Sequence, residues 1–322
     1  MVLTTPLIAH LAASANEGVD VVCTPATAGL LANNPSIRSV IVYDKRGLDA
    51  GAGGFLRLAT QLRGRRYRAA YLAQGSVRSG GLALAARIHE RVGFTSSAGR
   101  RFYTHRVPFV ENIHHAARLL SLATGAPDAP VDQAAIRPRL FPGDRERATV
   151  DALLETAGAR KERLVALAPG SVWATKRWPT YPELASLLTV RGVVIGSAED
   201  APLAAAVVEA TGGRAIDATG KLSLLASAEL IGRCGALVTN DSAPLHLASA
   251  MNTPTVAIFG PTVPEFGFGP LADRARVIGH ASLACRPCDR HGPQRCPLRH
   301  WRCMREITPE SVATTVHELL AL

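Results

Sequence analysis

The stretch 236-ALVTNDSAPLHLASAMNTPTVAIF-259 reads as a strand, a helix and a second strand in close succession. The runs ALVT (236–239) and TPTVAIF (253–259) are continuously apolar or β-branched, as strands are when helices cover both faces of their sheet. Between them, residues 243–251 have helical spacing, and Asp241 or Ser242 stands where an N-cap belongs. A strand, crossover helix and strand in so short a span make a parallel βαβ unit.

The same alternation continues outward. It gives a helix near 144–157, the strand RLVALAP (163–169), a helix over 181–190, the strand GVVIG (192–196), and helices over 200–211 and 223–233. In the first half, VDVVC (19–23), SVIVY (39–43) and AAYLAQ (69–74) are strands separated by segments of helical spacing. Residues 125–143, GAPDAPVDQAAIRPRLFPG, hold four prolines and no sustained period, which marks a linker. Two α/β domains are therefore expected, over 1–140 and 141–322. Residues 307–322 form an amphipathic terminal helix with Thr308 as N-cap and Pro309 at its first position.

With 322 residues, 47% apolar and only 19% charged, the chain is globular rather than disordered. No uninterrupted run of 18 apolar residues is present, which argues against a spanning helix. The opening MVLTTPLIAHLAASA mimics a signal peptide at Ala13-Ser14-Ala15, but it lacks a basic first region and is interrupted by Pro6 and His10. The net charge of +10 comes almost wholly from arginine and points to an anionic partner. Aromatic residues are only 5% and do not interleave with the basic groups, so a phosphorylated ligand or an anionic membrane surface fits better than nucleic acid.

Three strand ends in the second half collect polar residues, and ligands of open parallel sheets bind at strand carboxyl ends. In 168-APGSVWATKRWP-179, Ser171, backbone N–H groups and Lys176 can surround phosphate oxygens; the alternative is solvated loop charges beside Trp178 as a packing anchor. In 195-IGSAED-200, Glu199 can accept from ribose hydroxyls, or else serve as an ordinary helix-start acid. At 241–246 the helix start offers N–H groups to an anion, with His246 as a further donor and Asp241 suited to hydroxyls; plain N-capping is the alternative. Cys285, Cys288, Cys296 and Cys303 are close enough in sequence for tetrahedral zinc, yet they do not form two tight CxxC pairs, and free thiols are the other reading. Cys23 and Cys234 sit in apolar segments as small buried residues.

The run TNDSAPLHLASAMNTPTVAIFGPTVP resembles the signature of the bacterial ADP-heptose:lipopolysaccharide heptosyltransferases, glycosyltransferase family 9. APGSVWATKRWP is similar to that family's donor-phosphate loop, and ACRPCDRHGPQRCPLRHWRCMREITPE to the cysteine-bearing tail of its heptosyltransferase II-like members. The likeness runs from Val2 to about Glu310. It implies a GT-B fold, two Rossmann-like domains with the acceptor on the N-terminal side and the nucleotide-sugar on the C-terminal side. It further implies ADP-heptose as donor, inner-core lipopolysaccharide as acceptor, no required metal or cofactor, and a peripheral place at the cytoplasmic face of the inner membrane.

Carried over by position, Ser171 and Lys176 meet the donor diphosphate, with Lys176 supporting the leaving group. Glu199 meets the ribose, and Leu222 lines the adenine pocket. Asp241, Ser242, Ala243 and His246 form the helix-start site; the family usually has glycine where Ala243 stands. Thr4 and Thr5 fall on the acceptor side.

The family's proposed general base is an aspartate in a Gly-Asp pair that follows its first strand, and Met1 begins just after that place. The expectation is a longer native chain, the first strand of the N-terminal domain being missing here; the rival is a real truncation. Three functions compete: an inverting heptosyltransferase, a GT-B protein that binds the nucleotide-sugar without efficient transfer, and a nucleotide-sugar epimerase, which no motif supports.

Overall fold

A computed structural model describes residues 1–15, 18–126 and 132–321. The chain divides into two compact units, Leu3–Ile136 and Arg137–Leu322. The division falls four residues before the break expected at 140/141, and part of the proline-rich stretch, 127–131, lies outside the described residues.

The first unit runs α1 (Thr5–Ser14), β1 (Val19–Cys23), α2 (Pro25–Ala28), β2 (Ile37–Val42), α3 (Gly51–Gly64), β3 (Ala69–Tyr71), α4 (Val77–Ala85), β4 (Glu90–Phe94), β5 (His105–Val107), α5 (His115–Thr124) and α6 (Gln133–Ile136). Its strands form two parallel sheets, β1–β2 and β3–β4–β5; among the described residues β1 pairs with β2 alone and β3 with β4 alone. Ile41 and Tyr43, at the end of β2, share one apolar core with Leu58 and Leu62 of α3 and Leu82 of α4.

A polar cluster also links the two sheets. Asp20 of β1, with its side chain 2% exposed, accepts from Arg38 at 2.9 and 3.0 Å, from Arg65 at 2.6 Å and from the Tyr67 hydroxyl just before β3. Burial pushes this carboxyl up, but the bonds from Arg38, Tyr67 and Arg65 more than offset it and hold its pKa at about 2.

The second unit runs α7 (Asp144–Thr156), β6 (Leu164–Ala168), α8 (Tyr181–Leu187), β7 (Arg191–Val194), α9 (Ala201–Ala210), β8 (Ile216–Asp217), α10 (Leu224–Arg233), β9 (Ala236–Asn240), α11 (Ala243–Met251), β10 (Thr255–Phe259), β11 (Ala275–Gly279), α12 (Arg302–Arg305) and α13 (Pro309–Ala321). Its sheet is wholly parallel, in the order β8-β7-β6-β9-β10-β11. β6, β9 and β10 are buried along their whole lengths, which is why their sequences show no alternation. Helix α13 closes one face: Val312 and Val316 join Trp178, Leu184, Val238 and Ile258 in the main core.

That strand order starts in the middle, runs to one edge, then returns to the middle and runs to the other. The reversal falls between β6 and β9. Connections leaving these neighbours go to opposite sides and open a crevice at their carboxyl ends, where doubly wound sheets bind ligands.

Helix α11 occupies the span expected for it, ending at Asn252 in the left-handed conformation. Helix α8 stops at Leu187 rather than 190. Strands β4, β5, β8 and β11 were not anticipated.

Candidate functional site at the sheet's switch point

The loop after β6 and the turn after β9 meet across this crevice. Lys176 is only 8% exposed, and its Nζ lies 2.6 Å from Asp241 Oδ2. Thr262, after β10, donates its hydroxyl to the same oxygen at 2.7 Å. Asp241 Oδ1 takes no bond from the protein among the described residues, which suits it to receive a ligand hydroxyl. A buried ammonium paired on one side with a carboxylate keeps its remaining N–H groups for an anion.

Asn240 fixes this meeting. Fully buried, its side-chain amide accepts from Trp178 N–H at 3.2 Å and donates to the Pro169 carbonyl at 2.9 Å. Trp178 anchors the far end of the loop, donating Nε1–H to the Ile307 carbonyl at 3.1 Å and packing edge-on against Tyr181. The packing role considered for Trp178 is what it plays, Arg177 is exposed on the Ser171 carbonyl, and Lys176 is not a solvated charge.

The loop after β7 approaches from the other side. Asp200 accepts from Ser197 N–H and Oγ, both at 2.9 Å. A Cβ at Gly170 would lie 2.4 Å from the Asp200 carboxylate and one at Gly196 2.7 Å from it, so both strand ends need glycine to approach so closely. Glu199 stands exposed one residue earlier, at the strand end expected for it, and is not bonded to the Lys176–Asp241 pair.

The remaining expected residues fare differently. Ser171 Oγ accepts from Trp173 N–H at 3.4 Å, a local turn that leaves it half-exposed. Ser242 stands at the N-cap position of α11 but makes no side-chain cap bond; its hydroxyl is 3.4 Å from Thr239 Oγ1. Simple N-capping is thus not what this turn does, and the exposed Ala243 opens the helix. His246 is half-buried with Nδ1 shut off from solvent and its ring 6.2 Å from that of Phe268.

Leu222 lies apart from this cluster. It lines an open groove of about 590 Å³ with Leu153, Arg191, Asp217 and Lys221, and neither Lys176 nor the 241–246 turn borders that groove. On the N-terminal side Thr5 is buried at 3% exposure in the first turn of α1, while Thr4 is half-exposed.

The thiols of Cys285, Cys288, Cys296 and Cys303 lie near enough to act on one another electrostatically. Among the described residues no group of three or more His, Cys, Asp or Glu side chains is arranged to hold a metal ion. Cys288 Sγ donates to the Cys285 carbonyl at 3.1 Å, Cys285 Sγ is 3.9 Å from His300 Nε2, and Cys303 is buried in the main core. Sequence reasoning also missed Thr262 as part of the site. Thr262 stands in the quoted GPTVP run directly after an apolar strand, which is the signal that could have found it.

Residues 55–298 match glycosyltransferase family 9 (heptosyltransferase). The chain is 32% identical over 180 residues to lipooligosaccharide heptosyltransferase 2 of Haemophilus influenzae, covering 52% of this chain and 50% of the relative. It is 33% identical over 172 residues to lipopolysaccharide heptosyltransferase 2 of Salmonella typhimurium, covering 49% and 47%. In these alignments the chain spans about half the length of the curated relatives it matches.

Among solved structures it is similar to E. coli ADP-heptose lps heptosyltransferase II, with a TM-score of 0.80 and 24% identity over 100% of this chain and 95% of that one. A glycosyl transferase family 9 structure from Veillonella parvula matches with a TM-score of 0.84 and 22% identity, over 99% and 93%. These two likenesses give the same α/β fold with parallel sheets that the strand pattern called for, the GT-B class. With three quarters of its length matching the family and its polar residues gathered at the sheet's switch point, the chain belongs to glycosyltransferase family 9.

Proposed function

We propose that the protein is an inverting glycosyltransferase that moves heptose from ADP-heptose to the inner core of lipopolysaccharide. The observation that carries this is the Lys176–Asp241–Thr262 cluster at the switch point, in a chain whose relatives are named heptosyltransferase 2. In this reading the diphosphate sits against Lys176 and the Ser171 loop, Asp241 and Ser242 receive sugar hydroxyls, and Glu199 takes the ribose. The acceptor hydroxyl attacks the anomeric carbon from the face opposite ADP. The bond from that carbon to the diphosphate breaks, and the hydroxyl proton passes to a base.

Lys176 neutralises charge that grows on the departing diphosphate, the kind of contribution worth roughly 10²–10³ in rate. The cation in this reading is the protein's own, so turnover is expected to persist in a chelator.

The acceptor and the membrane account for the charge. Residues 1–136 hold fifteen Lys and Arg against eight Asp and Glu, seven of the ten excess positive charges. No helix among the described residues is long and apolar enough to cross a membrane. Peripheral attachment to the anionic cytoplasmic leaflet of the inner membrane follows as part of the proposal.

Mass-detected transfer from ADP-heptose to heptose-deficient core lipopolysaccharide tests it. Transfer supports the proposal; ADP binding with no turnover selects instead the protein that holds the nucleotide-sugar without passing it on; conversion of free donor without acceptor selects an epimerase.

A further inference from the structure

The cysteine-bearing segment is joined to the loops of the Lys176–Asp241 cluster by a set of side-chain and backbone contacts. The Gln294 side-chain amide accepts from Ala174 N–H at 3.1 Å and donates to the Val172 carbonyl at 3.0 Å, clasping the backbone of the loop after β6 on both sides of Trp173. Thr175 donates its hydroxyl to the Pro293 carbonyl, and the His291 ring stacks on Trp173 with centroids 6.3 Å apart and planes 15° from parallel. Gly292, at φ +83°, lies directly against Lys176: a Cβ there would sit 3.1 Å from Lys176 Cε and 3.2 Å from Cγ.

The same segment holds the loop that carries Thr262. Arg286 donates to the carbonyls of Phe259 at 2.7 Å and Thr262 at 3.1 Å, and also to that of Gly260, while Cys288 N–H reaches the Pro261 carbonyl at 2.9 Å.

The two loops that bring Lys176 and Thr262 to the same oxygen of Asp241 are thus tied to one strap, residues 286–294. The far end of the loop is anchored by buried Thr175, Lys176 and Trp178, but its tip, with Val172 and Trp173 exposed, has little burial of its own, so the tip's position depends on these polar ties. We propose that the 286–294 strap positions the donor-phosphate loop, with Gln294 and Gly292 as positioning residues that set where the Lys176 ammonium stands. This deepens, and rests on, the reading of the Lys176 cluster as the donor-phosphate site. The strap touches neither the phosphate nor the sugar; it acts by keeping the Lys176 loop from sampling other positions before the donor arrives, which lowers the ordering cost of binding.

Gln294 is exposed, so its replacement leaves the core untouched. Gln294→Ala and Gln294→Glu are compared with the parent chain by amide exchange over 170–177 without ligand, by calorimetry with ADP, and by steady-state kinetics. Gln294→Ala is expected to speed exchange at 172–176 about tenfold. It is expected to raise both the ADP Kd and the donor KM about three- to tenfold, the scale of one or two lost hydrogen bonds. Acceptor KM is expected to stay unchanged, and Tm within about 2 °C. Gln294→Glu keeps the acceptor for Ala174 N–H and is expected to fall between the two.

Exchange and ADP affinity equal to the parent's would overturn the strap, as would a parallel fall of Tm and every kinetic constant. Faster loop exchange in a protein whose parent binds no ADP supports the strap as a restraint on the loop and overturns the donor-site reading instead.

Discussion

Lys176 Nζ and Asp241 Oδ2, 65 residues apart in sequence, lie 2.6 Å from each other where the strand order reverses. This contact joins the loop after the first strand of the unit to the turn after its fourth, and the Thr262 hydroxyl completes it. Its consequences for binding and stability are separable.

Lys176→Met removes the cation and leaves Asp241 held by Thr262 alone. Removing one partner of a buried ion pair costs about 3–5 kcal/mol, and the residual exposure of this pair puts it at the low end. The transfer rate is expected to fall roughly 10²–10³-fold. Asp241→Asn keeps the shape and a hydrogen bond but strips the buried Lys176 ammonium of its counter-charge, so it too is expected to melt below the parent temperature while donor affinity drops. Calorimetry with ADP beside thermal melts checks both.

Asn240→Ala tests the zipper between the two strand ends. The substitution strands the buried Trp178 N–H and Pro169 carbonyl, at about 1–3 kcal/mol for each orphaned group. A loss of about 2–5 kcal/mol is therefore expected in urea unfolding of the second unit. A loss below about 1 kcal/mol would mean that water or a shifted loop satisfies both groups.

Asp20 makes the first unit acid-sensitive. Its carboxyl is held at about 2 against an ordinary 3.8, so its contribution is present above about pH 4 and is lost as pH falls toward 2. The shift corresponds to about 2 kcal/mol at neutral pH. Asp20→Asn is expected to be less stable than the parent by about that amount at pH 7, with the gap closing between pH 4 and 2. A gap that stays constant over that range would remove the ionised Asp20 from the account.

The cysteines are expected to react in a set order. Burial pushes the Cys234 thiol to about 12 and that of Cys303 to about 11. Burial also raises Cys296, but backbone N–H groups at Trp301, Leu298, His300 and Arg299 aim at its sulfur and bring it below the usual thiol value. Timed iodoacetamide labelling read by peptide mass spectrometry is expected to find Cys296 modified first and Cys234 last. Early labelling of Cys234 would mean that the second unit opens at its α10–β9 junction.

Much of the second unit was legible because its strands are buried on both faces. LVALA, ALVTN and TVAIF have no periodicity to misread, and helix α11 began and ended where the helical spacing over 243–251 put it. Strand β8 is two residues long and carries no pattern of its own, and β4, ERVGF, opens with two charged residues. Neither is visible until a neighbouring strand offers its hydrogen bonds.

The residues of the site were legible as types and as strand ends: a lysine after glycine and serine, an aspartate opening a helix, a glutamate after an apolar run. Their partners were not. Local chemistry made Ser242 an N-cap, yet its hydroxyl turned to Thr239, and His246 packed its ring against Phe268. Leu222 went to a separate groove.

The amino-acid order alone determined the alternation of strand and helix and the places where polar residues gather, because burial and backbone hydrogen bonding act on neighbours in sequence. Tertiary structure decided which of those gatherings meet. Lys176 finds Asp241 across 65 residues and Ala174 finds Gln294 across 120, through loops whose own composition encodes no preference for each other. Only the strand order, which reverses between β6 and β9, sets them within hydrogen-bonding distance.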